Sequence, residues 1–242
     1  MLFMSSPAVK AAERYYLIIF GAQKSINMPK DSHTFGLFVK ETDQGSLETM
    51  CISWLAEDLN VNILGRRPQL GVNLDLHFTM QHYESRRCRI SMWGPFEMDR
   101  ELYEKAKGRR DVLESGSVGY SPIDHRRRPK MADCMHAVSG VDVEPGLLRT
   151  RSAHGDIASY FVLEHLSWWL IHPETTHSHL ISRLCLDQYC IHGRDFCARP
   201  HSPFPILPPY YDPSLAAEGP RGVEAPTPAA GQSSPAAPPG PE

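Results

Sequence analysis

An α+β domain, a small antiparallel sheet packed against helices, is the fold predicted by three features of this sequence. Residues Tyr15–Phe20 form an apolar and aromatic run ending at Gly21, which reads as a buried strand rather than a helix. His33–Lys40 and Met50–Leu55 read as two more strands, joined through the turn chemistry of Thr42–Ser46 into a hairpin over residues 33 to 56. From Ser152 to Ile171, the residues Ile157, Tyr160, Phe161, Leu163, Leu166 and Leu170 recur at helical spacing and stop before Pro173, so this helix is expected against the core.

The intervening elements follow in order. Asn73 to Ser85 has partial helical spacing through Leu74, Phe78 and Met80, and Cys88–Trp93 is strand-like. Pro95 to Lys107 predicts a surface helix, with Met98, Leu102, Tyr103 and Ala106 on one face and Gly108 as its stop. Ser117 to Ile123 reads as a strand. Asp133 is a helix N-cap, Cys134 is then the first helical residue, and Gly140 keeps that helix short. A further short helix is expected over His179 to Gln188. Residues 1–200 thus read as one domain, and 201–242, rich in proline, alanine and glycine, as a disordered tail.

Composition narrows the function classes. The 242 residues are 41% hydrophobic, enough for a core, and the net charge of -3 argues against a general nucleic-acid-binding surface. The basic run His125–Lys130 is short and contains a proline, and it reads as a solvated loop. The run Tyr15–Phe20 is too short for a signal core or a membrane span, and six cysteines are neither dense nor regularly spaced, so a cytoplasmic protein with reduced thiols is expected. Gly116-Ser117-Val118-Gly119 lacks the rest of either nucleotide motif, and no nucleotide cofactor is expected.

Two constellations carry chemistry. Amides of a first helical turn favour a thiolate at Cys134, and an imidazole at His33, opening the hairpin, would complete a nucleophile and base. His136, two residues on, competes as base, but on a helix its side chain diverges from that of Cys134. An orienting partner for His33 is expected near the far strand of the hairpin. Glu57 is the expected choice, with Ser53 and Asp58 as rivals, and Gln23, just past the first strand, is either an oxyanion donor or a turn residue. The second constellation is Cys185, Cys190, His192 and Cys197, with His172, His177 and His179 just before it. These are zinc-type ligands without the tight two-residue cysteine knuckle, and the competing reading is ordinary core and surface residues. Trp168-Trp169 and Trp93–Phe96 either line a pocket or pack in the core.

The order of the two motifs, His33-Thr34-Phe35-Gly36-Leu37-Phe38-Val39 and then Asp133-Cys134-Met135-His136-Ala137-Val138, resembles the circularly permuted papain-like hydrolases of the NlpC type, the group that includes relatives of lecithin retinol acyltransferase. That resemblance implies a permuted papain-like α+β fold and a cysteine hydrolase or acyltransferase. Cys134 would be its nucleophile, His33 its base and Glu57 the orienting residue, acting on an amide, peptide or thioester with no metal or organic cofactor. It makes residues 65–111 an insertion that covers the cleft. The alternatives from the residues themselves are a non-enzymatic binding module, recruiting a protein partner through the proline-rich tail, or a zinc-stabilised interaction domain.

Overall fold

The computed structural model describes residues 12–26, 28–62, 69–122, 130–143, 147–149, 154–198 and 210–212. Its architecture is α+β. Three consecutive antiparallel strands form one side of the main sheet, with the third at its edge: β1 (Arg14–Gln23), β2 (His33–Glu41) and β3 (Leu47–Ile52). The expected hairpin is present, with Lys40 opposite Glu48 and Gly36 opposite Ile52. β6 (Arg89–Glu97) pairs antiparallel with the other side of β1, and β10 (Ile191–Arg194) adds a parallel edge, for a spatial order β10-β6-β1-β2-β3. Tyr15 to Ala22 and His33 to Val39 are buried without alternation, because helices cover both faces of these central strands.

A second sheet, β4-β5-β7-β8, joins β4 (Trp54–Ala56), β5 (Gln69–Asn73), β7 (Gly119–Tyr120) and β8 (Met131–Ala132). The chain changes sheet at Ser53: β3 ends at Ile52 and β4 leaves to pair with β5. A third pairing links β9 (Leu147–Arg149) to β11 (Tyr210–Asp212). The tail expected beyond residue 200 therefore includes one short strand, and its other residues lie outside those described, as does most of the basic run at 125–130.

Helix α1 (Leu76–Ser85) is capped by Asp75, whose side chain accepts from the Phe78 amide, and buries Thr79, Met80 and Tyr83. Helix α2 spans Arg100–Glu114 rather than starting near Pro95. Pro95 belongs to β6, Asp99 supplies the cap, and the helix runs through Gly108. A mid-helix glycine costs about 1 kcal/mol, which the burial of Leu113 beyond it offsets. Helix α3 (Cys134–Ser139) is as short as expected, held between Asp133 and Gly140. Helix α4 (Asp156–Leu166) starts later than its apolar pattern suggests, after Gly155 at φ 61°, and a 3-10 turn over Ser167–Trp169 continues it. The last helical segment is split at Cys185, φ 53°, into α5 (His179–Arg183) and a 3-10 turn at Leu186–Gln188.

Both α3 and α4 lie on the main sheet, where two glycines permit their approach. A Cβ on Gly21 would meet Ser159 Oγ of α4 at 2.7 Å, and one on Gly36 would meet Val138 Cγ1 of α3 at 3.1 Å. The segment 65–111 is not an insertion laid over a finished fold. It supplies β6, an inner strand of the main sheet, and α1, which covers the start of β2. Of the aromatic groups, Trp93 and Phe96 are core residues and Trp169 is buried, while Trp168 lies tilted against Trp169 and stays exposed.

In the second sheet the ring of Trp54 lies over Gly71, where a Cβ would come within 1.9 Å of Trp54 Cζ2. Gly71→Ala should therefore lower stability by about 1–3 kcal/mol through forced displacement of Trp54, seen as a lower urea midpoint with the fluorescence of that indole altered; an unchanged midpoint would refute this packing.

Candidate active site

Cys134 lies beside the backbone of Thr34, the residue after His33, toward one end of the main sheet. His33 opens β2 opposite Ala22, near the exit of β1, and Cys134 opens α3 directly after β8 and the Asp133 cap. Asp133 Oδ1 accepts from the His136 amide at 2.8 Å, which fixes the first turn of α3. Alternation along β2 divides its side chains. His33 stacks on Tyr83 of α1, with ring centroids 5.2 Å apart and planes 15° apart, and Phe35 stacks on the imidazole of His33. Thr34 and Gly36 point the other way, Thr34 Oγ1 lying 2.9 Å from Ser159 Oγ of α4.

Cys134 keeps partial exposure. Burial nevertheless pushes its thiol up to about 12, and the Asp133 carboxylate adds to the rise. Hydrogen bonds from the backbone N–H groups of Thr34, Met135 and Cys134 itself act in the opposite direction. The thiolate expected from a helix start is thus overturned for the resting site: α3 has only six residues, and desolvation outweighs its amides. Backbone amides beside the sulfur still favour negative charge once it develops there. Burial holds the phenols of Tyr83 and Tyr120 well above their ordinary range, and Cys134 adds to the rise of both.

His33 is 1% exposed. Its Nε2 lies 2.9 Å from Ser53 Oγ, and its Nδ1, also buried, has no hydrogen-bond partner. Burial pushes the imidazole down to about 3, with His82 contributing in the same direction. His33 is therefore neutral across the ordinary pH range, the form in which a histidine accepts a proton.

Glu57 is not the group at His33. It is exposed beyond the end of β4, its amide donating to Leu70 O, because the chain switches sheets at Ser53 and carries Glu57 away from β2. The same switch leaves Ser53, one of the rivals, facing the imidazole. Asp58 accepts from the Asn60 amide and from Gln69. Gln23 accepts from the Asp156 amide at 2.8 Å, capping α4 rather than donating to an oxyanion. His136 faces away from the sulfur: Nδ1 is 2.8 Å from Asp133 Oδ2 and Nε2 is 2.7 Å from Leu148 O, so both nitrogens are engaged. Sequence reasoning missed Tyr83, Thr79 and Tyr120. Tyr83 and Thr79 lie four residues apart in the partly periodic stretch 73–85, so a helix drawn there would have put them on one face. Nothing in the short strand around Tyr120 marks it.

Among the described residues no group of three histidine, cysteine, aspartate or glutamate side chains is placed to hold a metal ion, Cys185, Cys190, His192 and Cys197 included. No helix among them is long and apolar enough to cross a membrane. Comparison with protein-family models, with curated proteins and with solved structures gives no match to this chain.

A histidine with a depressed folded-state pKa binds no proton where the unfolded chain does. Its contribution to stability is complete above about pH 6.5 and is lost as pH falls toward about 3, amounting in full to a few kcal/mol at most. The stability of the wild type should accordingly fall more steeply than that of His33→Gln between pH 6.5 and 4 in urea titrations. Parallel profiles would show that His33 is not buried as a neutral base.

Proposed function

We propose that the protein is a cysteine-dependent hydrolase or acyltransferase with a permuted papain-like arrangement, acting on an amide, peptide or thioester. The observation that carries this reading is a buried neutral imidazole, one nitrogen held and the other unpartnered, in the residue next to the one whose amide meets the Cys134 sulfur. In the reaction, Cys134 Sγ bonds to the carbonyl carbon as its proton passes to His33 Nδ1. The carbonyl oxygen takes up the electron pair and is held by the backbone amides beside the sulfur. The C–N or C–S bond then breaks, and Nδ1 returns the proton to the leaving amine or thiol. Water, or an acceptor alcohol or amine, attacks the acyl-enzyme with Nδ1 again taking the proton, and the thiol is released.

Thiol and imidazole are both uncharged at rest, so proton transfer accompanies attack instead of preceding it as an ion pair. No metal or organic cofactor enters these steps. A reducing, cytoplasmic setting suits such a nucleophile, and all six cysteines are free. The raised thiol is also the observation that favours the second reading, a binding module in which Cys134 is structural.

Iodoacetamide labelling of the full chain, read at each cysteine by peptide mass spectrometry, separates the two. As an enzyme, Cys134 reacts faster at pH 7 than buried Cys88, its rate goes on rising with pH beyond 9 rather than levelling off below 7, and His33→Ala slows it by about tenfold or more. A silent Cys134, or equal labelling in wild type and variant, sinks the enzyme reading in favour of the module.

A further inference from the structure

His136, the third residue of α3, faces two acceptors at once. Its Nε2 lies 2.7 Å from the carbonyl oxygen of Leu148, on β9, and its Nδ1 lies 2.8 Å from Asp133 Oδ2. A carbonyl only accepts, so the first contact places a hydrogen on Nε2. A neutral imidazole with that hydrogen would turn the lone pair of Nδ1 toward a carboxylate oxygen, and two acceptors at this distance repel. A second proton between Nδ1 and Oδ2 removes the conflict and makes the contact a charge-assisted hydrogen bond. The other oxygen of Asp133 accepts from the His136 amide at 2.8 Å, so the carboxylate cannot turn away without giving up the cap of α3. Both side chains are part-buried, where unmatched acceptors cost more than at the surface.

We propose that His136 is held as an imidazolium, a positioning residue that keeps the start of α3 on β9 and offsets the Asp133 carboxylate beside Cys134. That carboxylate is the charge that, after burial, opposes a thiolate at Cys134. With two protons the Asp133–His136 pair carries no net charge, whereas with one it would carry a full negative charge next to the nucleophile. Two other charged or titratable groups face His136. Arg109 of α2 donates to the His136 carbonyl oxygen at 3.1 Å. His165 of α4 is held toward its neutral form by burial, and the His136 charge acts in the same direction. The contact from β9 is a main-chain oxygen. The offsetting role rests on the reading of Cys134 as a nucleophile, whereas the proton on the pair is measurable without any substrate.

The test is nitrogen-15 NMR of the histidine side chains in the full chain at a pH near 7, with His136 assigned from the signals lost in His136→Gln. Both ring nitrogens of His136 should be protonated in the wild type. Asp133→Asn keeps the capping oxygen and turns an amide donor toward Nδ1, so in that variant His136 should become neutral, with hydrogen on Nε2 and a pyridine-type Nδ1. A pyridine-type nitrogen in the wild type, or a ring unchanged by Asp133→Asn, overturns the assignment. Iodoacetamide labelling of Cys134 at the same pH reads the effect on the thiol. His136→Gln should slow it by about threefold or more, and adding Asp133→Asn should bring it back to the wild-type rate, because no carboxylate is left to offset. A double variant as slow as the single one shows a purely structural brace and overturns the offsetting role. A Cys134 silent in the wild type sinks the enzyme reading and the offsetting role with it, while the imidazolium still stands or falls on the NMR.

Discussion

The pairing of β1 with β2 is the constraint on which the rest depends. Nine consecutive residue pairs, from Arg14 with Glu41 to Ala22 with His33, run antiparallel through the middle of the molecule. Both strands are buried on both faces, so their register is fixed by apolar contacts above and below and not by one side alone. Everything in the candidate site takes its position from the end of that ladder. His33 is its last pair, Thr34 beside it presents an amide to Cys134, and the glycines at 21 and 36 let α4 and α3 settle close enough to bring the sulfur there.

The Cys134 thiol and the His33 imidazole have both been pushed toward their uncharged forms, the thiol upward and the imidazole downward, by the same cause. Burial penalises any charge, and the cost applies equally to a thiolate and to an imidazolium. Such a site is quiet at rest. It stores no thiolate–imidazolium pair, and its donors, backbone amides beside the sulfur, have their effect only once charge appears. Cys134 keeps partial exposure, while His33 is buried. His136, which the sequence offers as a second imidazole, instead ties Asp133 to β9 through Leu148 and so braces the start of α3.

Several features were legible in the sequence for definite physical reasons. Asp133 before Cys134 announces a helix start because a short carboxylate satisfies free amides there, and Gly140 announces its stop. The hairpin from His33 was legible because turn residues separate two apolar runs. Other features were hidden by competing local signals. Pro95 resembles a helix start but sits in β6, and Gly108 resembles a stop but is carried by the buried face that continues to Leu113. The partner of His33 was hidden by the change of sheet at Ser53, since a hairpin extrapolated straight onward places Glu57 opposite β2, whereas the chain turns aside four residues earlier.

By itself, then, the sequence determined the α+β class, the strands and most helices of the core, and the two residue types at the centre of the site. Each of these follows from local periodicity, capping or turn chemistry, which act over a few residues. The tertiary structure alone decided that the backbone after His33 lies beside Cys134, that the imidazole meets Ser53 and stacks on Tyr83, and that both titrating groups rest uncharged. These depend on which surfaces lose water together, and desolvation is a property of the packed neighbourhood that no short stretch of chain carries.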